Sequence, residues 1–131
     1  MITHNYTRTW SANGEQISKA LALTGNGEIA VDMSVPALTV NQLVSFAAVV
    51  ANIQGLYLVS SLAMTVKTNS AGSPANTFTL AANVPFMWAM GDAALRDTAG
   101  ALVSANITAL YVSNADATNA ALLEIRLLNN P

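Results

Sequence analysis

Period-two alternation of apolar and polar side chains recurs along nearly the whole chain, and a segment with that period can bury one face only as a strand of a sheet. Residues 28–35 show it most cleanly. Ile29, Val31, Met33 and Val35 alternate there with Glu28, Ala30, Asp32 and Ser34. In residues 16–24, Ile17, Leu21 and Leu23 share a face, and the following TGNG at 24–27 has the Gly and Asn of a positive-φ turn. These features together predict a hairpin between 16–24 and 28–35.

Residues 56–68 alternate for longer than one ordinary strand, with Leu56, Leu58, Ser60, Leu62, Met64 and Val66 on one side. A bend near Ser60-Ser61 would divide the run into two strands that change sheet at a sandwich corner. After the loop NSAGSP at 69–74, Phe78 and Leu80 mark a strand at 77–82. Phe86, Trp88 and Met90 mark another beyond Pro85. GDAALRDTAG at 91–100 reads as a loop or a single helical turn. ITALYVS at 107–113 and ALLEIRLL at 121–128 close the chain as strands. In 36–54, Val40, Leu43, Val44, Ala47, Val50 and Ala51 also fit a helical stripe, but Val44, Phe46, Val49 and Val50 favour strand. The reading is all-β: one antiparallel sandwich, jelly-roll-like, of about eight or nine short strands over 1–131. Residues 1–14 are expected to form a polar N-terminal arm.

Composition bears chiefly on function. Lys and Arg total 5 and Asp and Glu total 7, or 9% of 131 residues, against about 25% in an average domain. Polarity comes instead from 13 Asn, 12 Thr and 10 Ser. A net charge of −2 without a basic cluster removes the electrostatic attraction that supplies most nucleic-acid affinity. The most apolar stretch, LVSFAAVVA at 43–51, is too short to cross a bilayer as a helix. MITHNYTRTW has neither the basic nor the apolar region of a secretory signal, so no cleaved leader is expected. The hydrophobic fraction of 53% and mean hydropathy of +0.42, with so little charge, predict a homo-oligomer, a trimer being favoured.

No catalytic or cofactor-binding constellation is expected. Cysteine is absent, which excludes thiolate metal sites and cysteine nucleophiles. His4 is the single histidine and reads as a solvated or interface residue. Asp92, Asp97 and Asp116 fall in expected loops, where aspartate mostly forms turns rather than a calcium site. The G-x-G of TGNGE lacks the third glycine and the following helix of a phosphate loop. Trp10, Trp88, Tyr57 and Tyr111 would suit a sugar-stacking platform, but core or interface positions are the commoner use of such residues. The chain is therefore read as a non-enzyme.

The segments GLYLVSSLAMTVKTN (55–69), TFTLAANVPFMW (77–88) and TALYVSNADATNAALLEIRLL (108–128) resemble small virion proteins of tailed bacteriophages, the capsid cement or decoration proteins. The resemblance lies in Asn/Thr/Ser/Ala-rich strands with almost no charge and no cysteine, and it carries no individual functional residues. It implies a β-sandwich made in the host cytoplasm and placed on the capsid exterior, bound to the major capsid protein or other virion proteins. Phage neck, tail and fibre proteins, including receptor- or carbohydrate-binding modules, share the pattern. The expected partner contacts are Thr3, Asn5, Tyr6, Thr7 and Trp10, in an arm whose main chain could add a strand to a neighbour.

Overall fold

The computed structural model describes residues 1–89 and 105–131. Ten strands follow in order: β1 (Ile2–Ala12), β2 (Glu15–Gly25), β3 (Gly27–Val35), β4 (Thr39–Val44), β5 (Ile53–Ser60), β6 (Met64–Thr68), β7 (Thr77–Leu80), β8 (Phe86–Ala89), β9 (Leu110–Asn114) and β10 (Ala121–Asn129). A single 3-10 turn at Val50–Asn52 precedes β5.

Eight of these strands form two four-stranded sheets, ordered β3-β10-β5-β8 and β4-β9-β6-β7. All pairings are antiparallel, and the pairs β3–β10, β4–β9, β5–β8 and β6–β7 nest inside one another around the β6–β7 connection. The chain thus runs as one long folded ribbon that is rolled until β10 meets β5 and β9 meets β6. This is the jelly-roll sandwich.

Alternation decides which side chains the sandwich buries. Val35 of β3, Leu56 and Leu58 of β5, Met64 and Val66 of β6, Phe78 and Leu80 of β7, Val112 of β9 and Leu123, Ile125 and Leu127 of β10 fill one core. Phe78 and Phe86 meet across it with ring centres 5.1 Å apart at a tilt of 53°, an arrangement suited to the ring quadrupoles. The corner at Ser60-Ser61 passes the chain from the β5 sheet to the β6 sheet, as the long alternating run predicts. Residues 36–54 hold strand β4 and a lone bridge between Ala48 and Ile107 instead of a long helix. Asn41, at φ +52°, lies in an irregular β4–β9 register between Thr39 and Gln42, and Val40 and Leu43 are exposed. The expected strand at 107–113 is shorter, since regular pairing begins at Leu110.

The hairpin expected between 16–24 and 28–35 does not form. β2 pairs with β1, and β3 pairs with β10 alone. Gly25 and Gly27 have no positive φ. Gly25 is needed for close approach instead, because a Cβ there would strike the main-chain oxygen of Asn129. The expected polar arm at 1–14 contains the first strand of a hairpin made of two eleven-residue strands. Met90, the segment 91–100, Asp92 and Asp97 lie outside the described residues.

The polar connections are fixed by amides. Asn114 is fully buried, and its Nδ2 donates to the carbonyls of Val35 (3.1 Å), Pro36 (3.2 Å) and Asn119 (2.9 Å), while its Oδ1 accepts from the N–H of Asp116. That side chain ties the β3–β4 corner to the β9–β10 connection. Asn69, at φ +69°, similarly accepts from the N–H of Thr108 and donates to the carbonyl of Asn106.

Candidate functional site

Asn13-Gly14 builds the hairpin that carries the site. Asn13 has φ +52° and Gly14 φ +80°. A two-residue turn with both φ values positive matches the right-handed twist of its strands, and Asn-Gly is the sequence best suited to it. Pairing then runs without interruption from Ala12 opposite Glu15 to Ile2 opposite Gly25.

The hairpin's two faces differ in chemistry. Ile2, His4, Tyr6, Leu21 and Leu23 point inward near its base, where Tyr6 and Leu23 pack with Ala89 and Leu128 on the outer face of the β3-β10-β5-β8 sheet. The outward face consists of Thr3, Asn5, Thr7, Thr9 and Ser11 beside Gln16, Ser18, Ala20, Ala22 and Thr24, all exposed and none charged. Thr9 Oγ1 and Ser18 Oγ lie 3.2 Å apart across it. From Thr7 to Ser11 and from Glu15 to Ala20, both faces are exposed, so this half of the ribbon is not packed into the core of the described strands.

Tyr6 anchors the base. It is 7% exposed, and its ring and hydroxyl lie over Gly55 of β5, where any Cβ would collide with Oη. The hydroxyl has no hydrogen-bond partner. Burial disfavours the phenolate and pushes the Tyr6 pKa up to about 12. His4 Nε2 lies 3.6 Å from Glu28 Oε2, at the β3 side of the same contact.

A groove of about 540 Å³ runs along β1, walled by Ile2 to Thr7 and floored by Glu28, Tyr57, Met87 and Arg126. Among the described residues β1 pairs with β2 alone, so its other edge has no strand partner there. Arg126 is held in place: its Nη2 donates to both carboxylate oxygens of Asp32 at 3.0 Å, and its Nη1 donates to the carbonyl of Ile125 at 2.8 Å.

Of the expected contact residues, Thr3, Asn5, Tyr6 and Thr7 line this groove, while Trp10 lies beyond it on the projecting ribbon. The four aromatics of a sugar platform are not brought together. Trp88 is buried in the core, Tyr57 lies on the outer face of one sheet, Tyr111 belongs to the other sheet, and Trp10 is on the hairpin. Asp116 closes a turn: its Oδ1 accepts from the N–H groups of Thr118 (2.9 Å) and Asn119 (2.7 Å), which hold its carboxyl below the usual aspartate range. Among the described residues no three His, Cys, Asp or Glu side chains are grouped to hold a metal.

Sequence reasoning misses Glu28, Tyr57, Met87 and Arg126 as groove residues, and Ile17 and Lys19 as partners of the arm. Asn13-Gly14 is the signal that locates the hairpin, and with it the inward face. The groove floor is set by pairings between distant strands and has no local signature. Comparison with known proteins gives no matching family model, no matching curated protein and no matching solved structure.

Proposed function

We propose that this chain is a non-catalytic structural virion protein of the cement or decoration type, which binds the outer surface of a capsid and stabilises the shell. The observation that carries this reading is the outward face of the hairpin, an unbroken run of hydroxyl, amide and methyl groups from Thr3 to Ser11 and from Gln16 to Thr24. Such a face hydrogen-bonds to a protein surface without the desolvation cost of burying unpaired ions. Held in the register of a paired ribbon, its side chains are already aligned on one face before binding. The resemblance of three segments to decoration proteins names the surface, and the jelly roll agrees with it without deciding it, since that architecture also serves lectins and cupins.

Stabilisation follows from mass action. A ligand bound only by the assembled shell raises the free energy needed to disrupt that shell. Cosedimentation with empty shells of the virus that encodes the chain tests the reading: the chain should pellet with shells and stay in the supernatant without them. Thr7→Asp with Ser18→Asp places two charges on the outward face and should weaken retention at least tenfold while leaving the circular dichroism unchanged. Equal retention of this variant would remove the outward face from the contact.

A receptor- or glycan-binding module of a neck, tail or fibre is the second reading. The groove beside β1 favours it, because it brings Tyr57, the His4–Glu28 pair and Arg126 to one concave surface. Binding to a glycan array together with failure to bind shells would select it.

A further inference from the structure

Asparagine followed by glycine is the pair most open to one spontaneous reaction of the main chain. The glycine nitrogen attacks the side-chain carbonyl carbon of the asparagine, and no Cβ on the attacking residue blocks its approach. The chain contains this pair twice, at Asn13-Gly14 and Asn26-Gly27, and Asn69-Ser70 also has a small residue in the attacking position. The fold treats the three sites differently.

Asn13-Gly14 is the whole turn of the β1–β2 hairpin, between the last paired residues Ala12 and Glu15. Both turn residues are exposed, and a Cβ built on Gly14 would meet nothing within 4 Å. Water therefore reaches the turn. To react, the bond between Cα and the carbonyl carbon of Asn13 must rotate until the Gly14 nitrogen faces Cγ. At the end of a two-stranded ribbon that rotation disturbs one turn only.

The other two sites are held. The Asn26 N–H donates to the Asn129 carbonyl at 3.0 Å, and Gly27 pairs with Asn129 as the first residue of β3. Gly25 and Gly27 both lie so close to Asn129 that a Cβ on either would collide with it. Rotation there must pull the start of β3 away from β10. At Asn69 the side chain is fixed at both ends, accepting from the N–H of Thr108 at 2.8 Å and donating to the Asn106 carbonyl at 2.9 Å. The Ser70 N–H, which carries the attacking nitrogen, already donates to the Thr68 carbonyl at 2.8 Å.

We propose that Asn13 is a site of spontaneous deamidation, through a cyclic imide formed with Gly14. Hydroxide removes the Gly14 amide proton, the nitrogen bonds to Cγ of Asn13, and the Cγ–Nδ2 bond breaks with release of ammonia. Water then adds to one of the two ring carbonyls. Opening at Cγ gives aspartate, and opening at the main-chain carbonyl gives isoaspartate, in which the chain runs through Cβ. Either product adds a negative charge to a chain of net charge −2, at the tip of a hairpin whose outward face is uncharged. Isoaspartate also lengthens the turn by a main-chain carbon, which the Ala12–Glu15 pairing must absorb. The reaction needs no shell, so its test stands apart from the capsid reading.

The test is incubation of the purified full chain in mildly alkaline buffer, with trypsin digestion and mass spectrometry of samples taken over time. Cleavage after Arg8 and Lys19 isolates Asn13 in the peptide Thr9–Lys19, apart from Asn26 and Asn69. That peptide should gain the mass of amide-to-acid exchange, and an isoaspartyl methyltransferase should label it. In the folded chain Asn13 should convert at least about tenfold faster than Asn26 or Asn69, which react only when their pairings open. In guanidinium chloride Asn13 and Asn26 should convert at similar rates, because the residue pair is the same. Asn13→Gly keeps a turn that accepts positive φ at both positions and should abolish the change in this peptide. Conversion of Asn26 or Asn69 in the folded chain as fast as Asn13, or an Asn13 that stays intact when folded and converts once unfolded, would overturn the proposal.

Discussion

The Tyr6 hydroxyl lies against the main chain of Gly55, one of the contacts that hold the base of the hairpin on the sandwich. Neither residue can change independently. Gly55→Ala places a methyl group where Oη now sits and should cost about 1–3 kcal/mol, as overpacking does elsewhere. Tyr6→Phe removes the colliding atom, so Gly55→Ala should cost less when combined with Tyr6→Phe. A double-mutant cycle by urea denaturation reads the coupling, and additive losses would mean that the two side chains do not meet.

Tyr6→Phe alone should leave stability unchanged or raise it by about 1 kcal/mol, because the hydroxyl is buried without a partner. Its pKa of about 12 lies above the ordinary 10.0. Between these values the unfolded chain has lost the proton and the folded chain keeps it, so stability falls as pH rises. The fall should approach roughly 2–3 kcal/mol by pH 12. Urea titrations from pH 9 to 12 should show that loss in the unaltered chain and a smaller one in Tyr6→Phe.

Gly14→Val forces a β-branched side chain to a φ of +80° and should destabilise the turn by at least about 1 kcal/mol. The damage should stay in the ribbon. Amide exchange should quicken from Thr7 to Ala20 while the sandwich strands keep their protection. Equal loosening of β10 would show that the hairpin and the body unfold as one unit.

Asn114→Ala leaves the carbonyls of Val35, Pro36 and Asn119 without the donor they now share. A loss of about 2–4 kcal/mol is expected from urea denaturation, the range for breaking a buried hydrogen-bond network. A loss below about 0.5 kcal/mol, the level of an ordinary surface change, would show that water replaces the amide.

Asp116 works in the opposite sense to Tyr6. Its carboxyl titrates below the usual 3.8 because the N–H groups of Thr118 and Asn119 favour the ionised form. Its contribution is therefore complete above about pH 4 and is lost as pH falls through its lowered value. Asp116→Ala should flatten that part of an acid denaturation curve, whereas an unchanged curve would assign the acid sensitivity to other carboxylates.

The sandwich is legible where one face of a strand is buried. Ile29, Val31 and Met33, or Leu123, Ile125 and Leu127, announce their face by alternation, and Ser60-Ser61 announces the corner by the length of the run. Alternation does not say which strand lies alongside. β3 is followed by a turn-like sequence and preceded by one, yet its partner is β10, at the far end of the chain, because the nested ribbon and not the adjacent segment completes its hydrogen bonds. The β1–β2 hairpin is hidden for a related reason. Tyr6 and Trp10 have the correct period, but polar residues dominate a strand exposed along most of its length, so the two-residue turn at Asn13-Gly14 is its clearest sign. β4 is obscured by its irregular register, which leaves Val40 and Leu43 exposed where a regular strand would bury alternate positions. Thr3, Asn5, Tyr6 and Thr7 can be named from the arm alone as candidate contacts, while Tyr57, Met87 and Arg126, which line the same groove, become their neighbours only after the roll closes.

The most direct measurement of the proposed capsid reading is the melting of empty shells of the phage proposed to encode the chain, bare and saturated with the purified chain, by scanning calorimetry. Decorated shells should melt at a higher temperature than bare shells, with a shift that grows with added chain until the sites are filled. Thr7→Asp with Ser18→Asp should reduce the shift at equal concentration. Bare and decorated shells that melt together, at concentrations where the chain is present in excess, would contradict the account.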